Sequence, residues 1–234
     1  MRRDDWVDRI TGDLIVTFAF YTRLPFPHDR ANGGAELARA SWAAPLAGAV
    51  VGAIGALAYA LAHAAGLGAL PAAGLAIVAT LIVTGALHED GLADTTDAFG
   101  AGATPETRLA IMRDSRIGTF GACALILSIG LRWAALANLI GPPRVAAVLI
   151  AAHAAARATP PLLMWLIPPA RPDGLSASAG LPPADSVAAA ALLAMCLVAI
   201  RSLALNKIGG QTGDVLGTLE QVSEIVVLLV AARG

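Results

Sequence analysis

The sequence predicts an all-α fold, a polytopic transmembrane helical bundle that occupies residues 1–234 as a single domain. Of the 234 residues, 57% are hydrophobic and only 14% are charged, whereas a soluble domain is about a quarter charged. Small residues are frequent and let helices approach closely, as the stripe of Gly48, Gly52 and Gly55 would in the first span. Apolar runs between short polar segments predict about six spans, a short interfacial N-terminal helix and a polar cytoplasmic helix.

Each predicted element follows from the local sequence. Residues 14–22 are apolar but too short to cross a bilayer, and residues 23–27 contain two prolines, so we expect an interfacial helix. The polar helix is expected to begin at Thr104-Pro105, because Thr caps helices well and Pro favours the first helical position, and to reach about Arg116. The six predicted spans are residues 43–67, 70–87, 117–140, 145–167, 184–205 and 215–232.

Charge and cysteine content narrow the function classes and the orientation. The net charge of −1 gives no electrostatic support for a nucleic-acid partner. Cys123 and Cys196 lie in apolar runs, which is typical of small hydrophobic residues rather than of a disulfide or a zinc site. Six arginines among the first forty residues place the N-terminus and residues 88–97 in the cytoplasm by the positive-inside rule. Counting six spans puts residues 207–214 on the opposite side.

The most informative segment is His88-Glu89-Asp90-Gly91-Leu92-Ala93-Asp94-Thr95-Thr96-Asp97, which follows an apolar run. If it is helical, Asp90, Asp94 and Asp97 point within about 60° of one another. Like charges that converge repel unless a cation holds them together, and oxygen ligands favour Mg²⁺, which usually brings substrate phosphates. We therefore expect a metal–phosphate site; a solvated aspartate-rich loop is the plainer alternative.

A second polar cluster is Arg113-Asp114-Ser115-Arg116, followed by glycines at the start of a span. Two guanidiniums three residues apart, beside backbone N–H groups at a helix start, suit a diphosphate. The alternative is the cytoplasmic end of a helix that carries positive-inside arginines.

Polar residues also occur inside the later spans. Asp214, Gln221 and Glu224 fall within about 80° of one another on a helix, and a carboxylate in lipid needs a polar partner. Arg157 stands four residues after His153; we take Arg157 as a phosphate-binding candidate and His153 as a packing residue. A further set is interpreted as snorkelling or interhelical bonding groups, namely His63, Arg132 and Arg201.

Four ordered segments together resemble the cobalamin synthase (adenosylcobinamide-GDP ribazoletransferase) family, nearly from end to end of the chain. They are residues 20–27 (FYTRLPFP), 88–97 (HEDGLADTTD), 113–119 (RDSRIGT) and 209–214 (GGQTGD). The resemblance implies a bacterial or archaeal integral membrane enzyme that joins adenosylcobinamide-GDP to α-ribazole or its 5′-phosphate, with release of GMP and Mg²⁺ as cofactor. It also implies a multi-pass protein of the bacterial inner membrane with a cytoplasmic active site; a homo-oligomer is left open.

On the basis of this resemblance, we assign roles in an active site to the polar residues. Catalytic roles are assigned to His88, Asp90, Asp94 and Asp97, and the metal ligands are Glu89, Asp90, Asp94 and Asp97. Substrate-binding roles are assigned to Arg23, Arg113, Asp114, Arg116, Arg157, Gln211, Asp214, Gln221 and Glu224. Two features depart from the family pattern: Glu89 stands where the family is often apolar, and the stretch between Arg157 and Gly209 is shorter by about one span.

Two other functions fit parts of the pattern. A small-solute or ion transporter could use Arg157 and Glu224 to line a path through the membrane. Against it, the densest chemistry gathers at one membrane face rather than at the midplane. A phosphotransferase that acts on a lipid alcohol is the second alternative, and it would differ in substrate alone.

Overall fold

The structure, a computed structural model, describes residues 3–27, 34–182 and 194–232. These parts of the chain are helical and contain no β-strand, which confirms the all-α prediction; one isolated parallel bridge joins Pro169 to Gln211. The helices are α1 (Arg3–Tyr21), α2 (Gly34–Arg39), α3 (Ala44–Ala64), α4 (Ala69–Thr84), α5 (Leu87–Ala101), α6 (Pro105–Ile111), α7 (Thr119–Ala137), α8 (Pro142–Arg157), α9 (Thr159–Leu166), α10 (Leu175–Ala179), α11 (Ala194–Ile208) and α12 (Gly213–Ala231).

Three helical stretches within the described residues are long and apolar enough to cross a membrane, namely Ala35–Ala64, Thr119–Ala137 and Pro142–Leu166. The pair Ala69–Thr84 and Leu87–Ala101 would add a fourth as one broken span, bent by 89°. Membrane association therefore follows from helix length and composition, while the predicted count of about six stays a prediction. The predicted span 184–205 lies partly outside the described residues.

The polar helix begins where it was expected and ends earlier. Thr104 caps α6 by accepting a hydrogen bond from the Thr107 backbone N–H at 3.3 Å. The helix stops at Ile111 rather than near Arg116. Asp114 accepts a hydrogen bond from the Arg116 backbone N–H at 3.1 Å, a local turn that competes with continued helix.

Glycines bring α3 and α8 into close contact. A Cβ atom on Gly52 would lie 2.5 Å from the Leu149 carbonyl oxygen, and one on Gly48 would collide with the His153 carbonyl. The two backbones therefore touch, as the small-residue stripe predicts. Beside them, Tyr59, Leu149 and Leu228 belong to an alanine-rich core that α3, α4, α7, α8 and α12 share.

A sharp break separates α4 from the acidic segment. Gly85 (φ 63°) and Ala86 (φ 56°) both adopt the left-handed conformation, which glycine reaches freely and alanine only at a cost. The chain thus ends α4 and restarts as α5 at an angle of 89°. This turn packs α5 against α7 and α12, and α12 also packs against α8 and α9. The polar residues of α5 and α12 therefore meet.

We expect Gly52→Ala to lower the thermal unfolding midpoint of the detergent-solubilised protein clearly. The new methyl group overpacks the contact between α3 and α8, which costs about 1–3 kcal/mol. The matched control is Gly130→Ala, because Gly130 is exposed on α7 with open space where a Cβ would stand. That variant should keep or raise the midpoint, since alanine favours helix by about 1 kcal/mol. Equal midpoints for the two variants would contradict the packing described.

Candidate active site

A cavity of about 260 Å³ opens between α1, α2, α5, α9, α10, the loop before α10 and the start of α12. Its wall is largely apolar, with side chains such as Phe20, Met164 and Leu216. A mostly apolar pocket with a few polar groups is typical of small-molecule sites. We call it the acidic cavity, because two carboxylates line it; the titratable side chains on its wall are Tyr21, His88, Asp90, Arg171 and Asp214.

Two helices deliver the carboxylates of the acidic cavity. Asp90 comes from the first turn of α5 and Asp214 from the first turn of α12. The helices touch here, since a Cβ on Gly91 would lie 3.0 Å from the Asp214 backbone. Asp94, one turn after Asp90, has Asp90, Asp214 and Asp97 as its charged neighbours. Burial raises the pKa of Asp214, and the Arg171 guanidinium opposes that shift. The result is a concentration of negative charge.

Asp97 has a different role from Asp90 and Asp94, because its carboxylate binds the backbone at the start of α7. Its carboxylate accepts hydrogen bonds from the backbone N–H groups of Gly118 at 2.7 Å and Gly121 at 2.8 Å. Both oxygens therefore cap the start of α7, where unpaired N–H groups and the helix dipole favour an anion. Asp97 fastens α7 to α5 and does not line the acidic cavity.

The predicted arginine pair lies on the surface. Arg113 forms an ion pair with Asp173 at 2.5 Å, and its side chain is 56% exposed. Arg116 pairs with Asp114 and is 86% exposed. Hydrogen bonds from Arg116 lower the pKa of Asp114 to about 2. Neither arginine lines the acidic cavity.

Arg23 and Gln211 do not line the acidic cavity either. The exposed Arg23 stands against the α4–α5 break, where its backbone N–H donates to the Val83 carbonyl at 2.7 Å. The Gln211 side chain is buried, and its backbone forms the bridge to Pro169.

Behind the cavity lies a buried ion-pair network, defined by Glu89, Arg132, Arg157, Glu220 and Glu224 with His88 and His153. Arg132 of α7 contacts Glu89 of α5 at 3.0 Å and Glu224 of α12 at 3.3 Å. These side chains are all less than a tenth exposed. A single guanidinium thus ties three helices together, and its removal would leave two buried carboxylates unpaired.

The second half of the network reaches the cavity. Arg157 of α8 contacts Glu220 of α12 at 2.8 Å. The other Glu220 oxygen lies 3.2 Å from His88 Nδ1, and His88 also lines the acidic cavity. Gln221 joins the network because its amide N–H donates to Glu220 at 3.2 Å, and the Ser128 hydroxyl donates to the Gln221 amide oxygen at 3.2 Å. His88 is therefore the member of the network that can touch a ligand.

His153, Glu220 and Glu224 have ligand atoms within 4.8 Å of one another. Each glutamate already pairs with an arginine, and His153 Nδ1 lies 3.1 Å from Arg157 and 3.5 Å from Glu224. Charges so compensated are typical of a structural ion-pair cluster rather than of a cation site.

Three of the predicted site residues line the acidic cavity, namely His88, Asp90 and Asp214. Arg157, Gln221, Glu224 and Glu89 instead lie together in the buried network. Sequence reasoning missed Arg171 and Glu220. Glu220 could have been identified from the sequence, since it stands four residues before Glu224 in an apolar helix. Arg171 is a single arginine in an irregular loop, and no sequence pattern identifies it.

The sequence matches a known protein family and several named relatives. The profile of the family described as cobalamin-5-phosphate synthase matches residues 13–232. The chain belongs to the cobalamin-5-phosphate synthase family. A relative named adenosylcobinamide-GDP ribazoletransferase from Bradyrhizobium diazoefficiens is 50% identical, over 97% of this chain and 95% of the relative. Relatives of the same name from Mesorhizobium japonicum and Azorhizobium caulinodans are 48% and 44% identical, over 96% and 94% of this chain and 94% and 95% of their own length. No solved structure gives a significant match.

We expect Arg132→Gln to destabilise the fold severely, because it leaves Glu89 and Glu224 buried without a cation, at a cost of about 3–5 kcal/mol. Arg116→Gln is the matched control, since that arginine is exposed. Thermal unfolding in detergent should show a large fall in midpoint for the first variant and none for the second. A normal midpoint for Arg132→Gln would mean that the network does not hold the bundle together.

Proposed function

We propose that the acidic cavity is the active site of an adenosylcobinamide-GDP ribazoletransferase. The enzyme joins adenosylcobinamide-GDP to α-ribazole, or its 5′-phosphate, in the final step of cobalamin biosynthesis. The observation that carries this assignment to the cavity is the meeting of Asp90 and Asp214 with His88 on one wall. Family membership over residues 13–232 and relatives of this name at up to 50% identity support the activity.

Mg²⁺ fits the donor chemistry of this wall. Asp90 and Asp214 offer carboxylate oxygens on the wall. Asp94 does not line the cavity, but it stands one turn after Asp90 and has Asp90, Asp214 and Asp97 as its charged neighbours. Mg²⁺ usually takes one or two carboxylates, keeps several waters and binds substrate phosphates. We therefore propose Asp90, Asp94 and Asp214 as its ligands; when bound, the ion neutralises charge on the diphosphate oxygens.

Two carboxylates of the sequence-based ligand set are omitted from this proposal. Both oxygens of Asp97 accept backbone hydrogen bonds at the start of α7. Glu89 contacts Arg132 in the buried network. Each carboxylate already has strong partners, and a metal would have to displace them.

The proposed reaction is phosphoryl transfer by in-line displacement. A ribose hydroxyl oxygen that is free in both α-ribazole and its 5′-phosphate forms a bond to the phosphorus attached to cobinamide, the diphosphate P–O bond breaks, and GMP leaves with the electron pair. His88 takes the hydroxyl proton. Glu220 accepts the hydrogen bond from His88 Nδ1–H, so that the lone pair of the neutral ring lies on Nε2. The protein contributes mainly position and electrostatics.

We place the protein in the bacterial inner membrane as a multi-pass protein whose active site faces the cytoplasm. The apolar stretches Ala35–Ala64, Thr119–Ala137 and Pro142–Leu166 support multiple crossings of the bilayer. The arginine-rich N-terminal region supports the orientation.

We expect Asp94→Asn to reduce GMP release by at least about 100-fold, because it removes a charged ligand of the proposed Mg²⁺ site. The measurement uses purified protein in detergent with adenosylcobinamide-GDP and α-ribazole. Asp8→Asn, a change at an exposed α1 residue, serves as the control and should match the unmodified protein. Full activity of Asp94→Asn would exclude Asp94 as a ligand.

We also expect chelation with EDTA to abolish GMP release and added Mg²⁺ to restore it. The larger Ca²⁺ should not restore it, since it relaxes the octahedral geometry that positions the phosphates. GMP release that persists after complete chelation would contradict the metal assignment. A product formed with a lipid alcohol in place of α-ribazole, or accumulation of solute in proteoliposomes without GMP release, would contradict the activity itself.

A further inference from the structure

Arg171 places a guanidinium on the wall of the acidic cavity, where Asp214 is its ion-pair neighbour among the described residues. It lines the acidic cavity, and its side chain is 18% exposed. Its Nη2 atom lies 3.7 Å from Asp214 Oδ2, beyond hydrogen-bond distance. Its Nη1 atom is buried and has no hydrogen-bond partner within the described residues. A buried donor without an acceptor is costly, so this position favours an anionic ligand that supplies one.

The backbone around Arg171 is fixed rather than loose. The Ala170 N–H donates to the Gln211 carbonyl at 2.8 Å, and the Gln211 N–H donates to the Pro168 carbonyl at 3.0 Å. Gly210 permits this approach, because a Cβ there would lie 2.5 Å from the Pro168 oxygen. This bridge holds the residue directly before Arg171 to the segment that begins α12 with Asp214. One backbone element therefore positions both the cation and a carboxylate of the cavity.

The other candidate phosphate-binding arginines are already engaged. Arg157 is buried against Glu220, Arg113 pairs with Asp173, and Arg116 pairs with Asp114. Of the arginines in the described parts of the chain, Arg171 is the one that lines the acidic cavity.

We propose that Arg171 binds the diphosphate of the activated corrinoid, beside the carboxylates proposed to hold Mg²⁺. This inference rests on the proposed function and adds a substrate-binding residue to it. The planar guanidinium matches two phosphate oxygens at once, in a way that a lysine ammonium does not. The Gly209–Gln211 turn then acts as the support that delivers this cation to the cavity.

The test separates the two substrates kinetically. For Arg171→Gln we expect the KM for adenosylcobinamide-GDP to rise at least about tenfold, the loss of one charge-assisted contact. The KM for α-ribazole should change less than about twofold. The KM of Arg171→Lys for adenosylcobinamide-GDP should lie between those of Arg171→Gln and the unmodified protein. Lysine keeps the positive charge but lacks the planar guanidinium that contacts two phosphate oxygens at once. Arg144→Gln, at an exposed arginine near the start of α8, should leave both constants unchanged.

A second readout uses inorganic pyrophosphate with Mg²⁺ as a probe in place of the corrinoid. Calorimetric titration should show binding to the unmodified protein and to Arg144→Gln, and binding at least about tenfold weaker to Arg171→Gln. Unchanged constants and unchanged binding in Arg171→Gln, or equal losses for both substrates, would overturn the role of Arg171 while the transferase activity stands. No GMP release by the unmodified protein would instead overturn the proposed function.

Discussion

The arrangement depends on the buried contacts that Arg132 and Arg157 make with carboxylates from two other helices. Arg132 joins α7 to Glu89 of α5 and Glu224 of α12, and Arg157 joins α8 to Glu220 of α12. Charges buried in this way are stable only when they are paired, so each helix must stand where its partner requires. The network thereby fixes the start of α5, and with it the position of His88 and Asp90 at the cavity.

Close backbone contacts complete that constraint. Gly52 lets α3 touch α8, which carries Arg157, and Gly91 lets α5 touch the first turn of α12. The sharp break at Gly85 and Ala86 turns the acidic segment away from the axis of α4 and toward α12. The buried ion pairs determine which helices pack together, and the small residues allow the helix backbones to approach closely. Both are needed because apolar side chains give little specificity to helix pairing within a lipid environment.

Helix class, the start of α6 and the family were all predictable from the sequence, because apolar run length, capping chemistry and ordered motifs are local signals. The contacts that each polar side chain makes could not be predicted from the sequence. Asp90, Asp94 and Asp97 share a helix face, yet Asp97 caps α7 while Asp90 lines the cavity. Helical periodicity gives a direction but not the neighbour that lies there. Arg171 is held at the site by a backbone bridge between segments about forty residues apart, and no periodic pattern in the sequence indicates such a bridge.

The most direct test of the account is an experimental structure of the protein with Mn²⁺, as an anomalous substitute for Mg²⁺, and GMP. We expect an anomalous peak at the carboxylates of Asp90, Asp94 and Asp214, and the GMP phosphate beside Arg171. A peak within the cluster of His153, Glu220 and Glu224, or a phosphate bound by Arg113 and Arg116 at the surface, would contradict it.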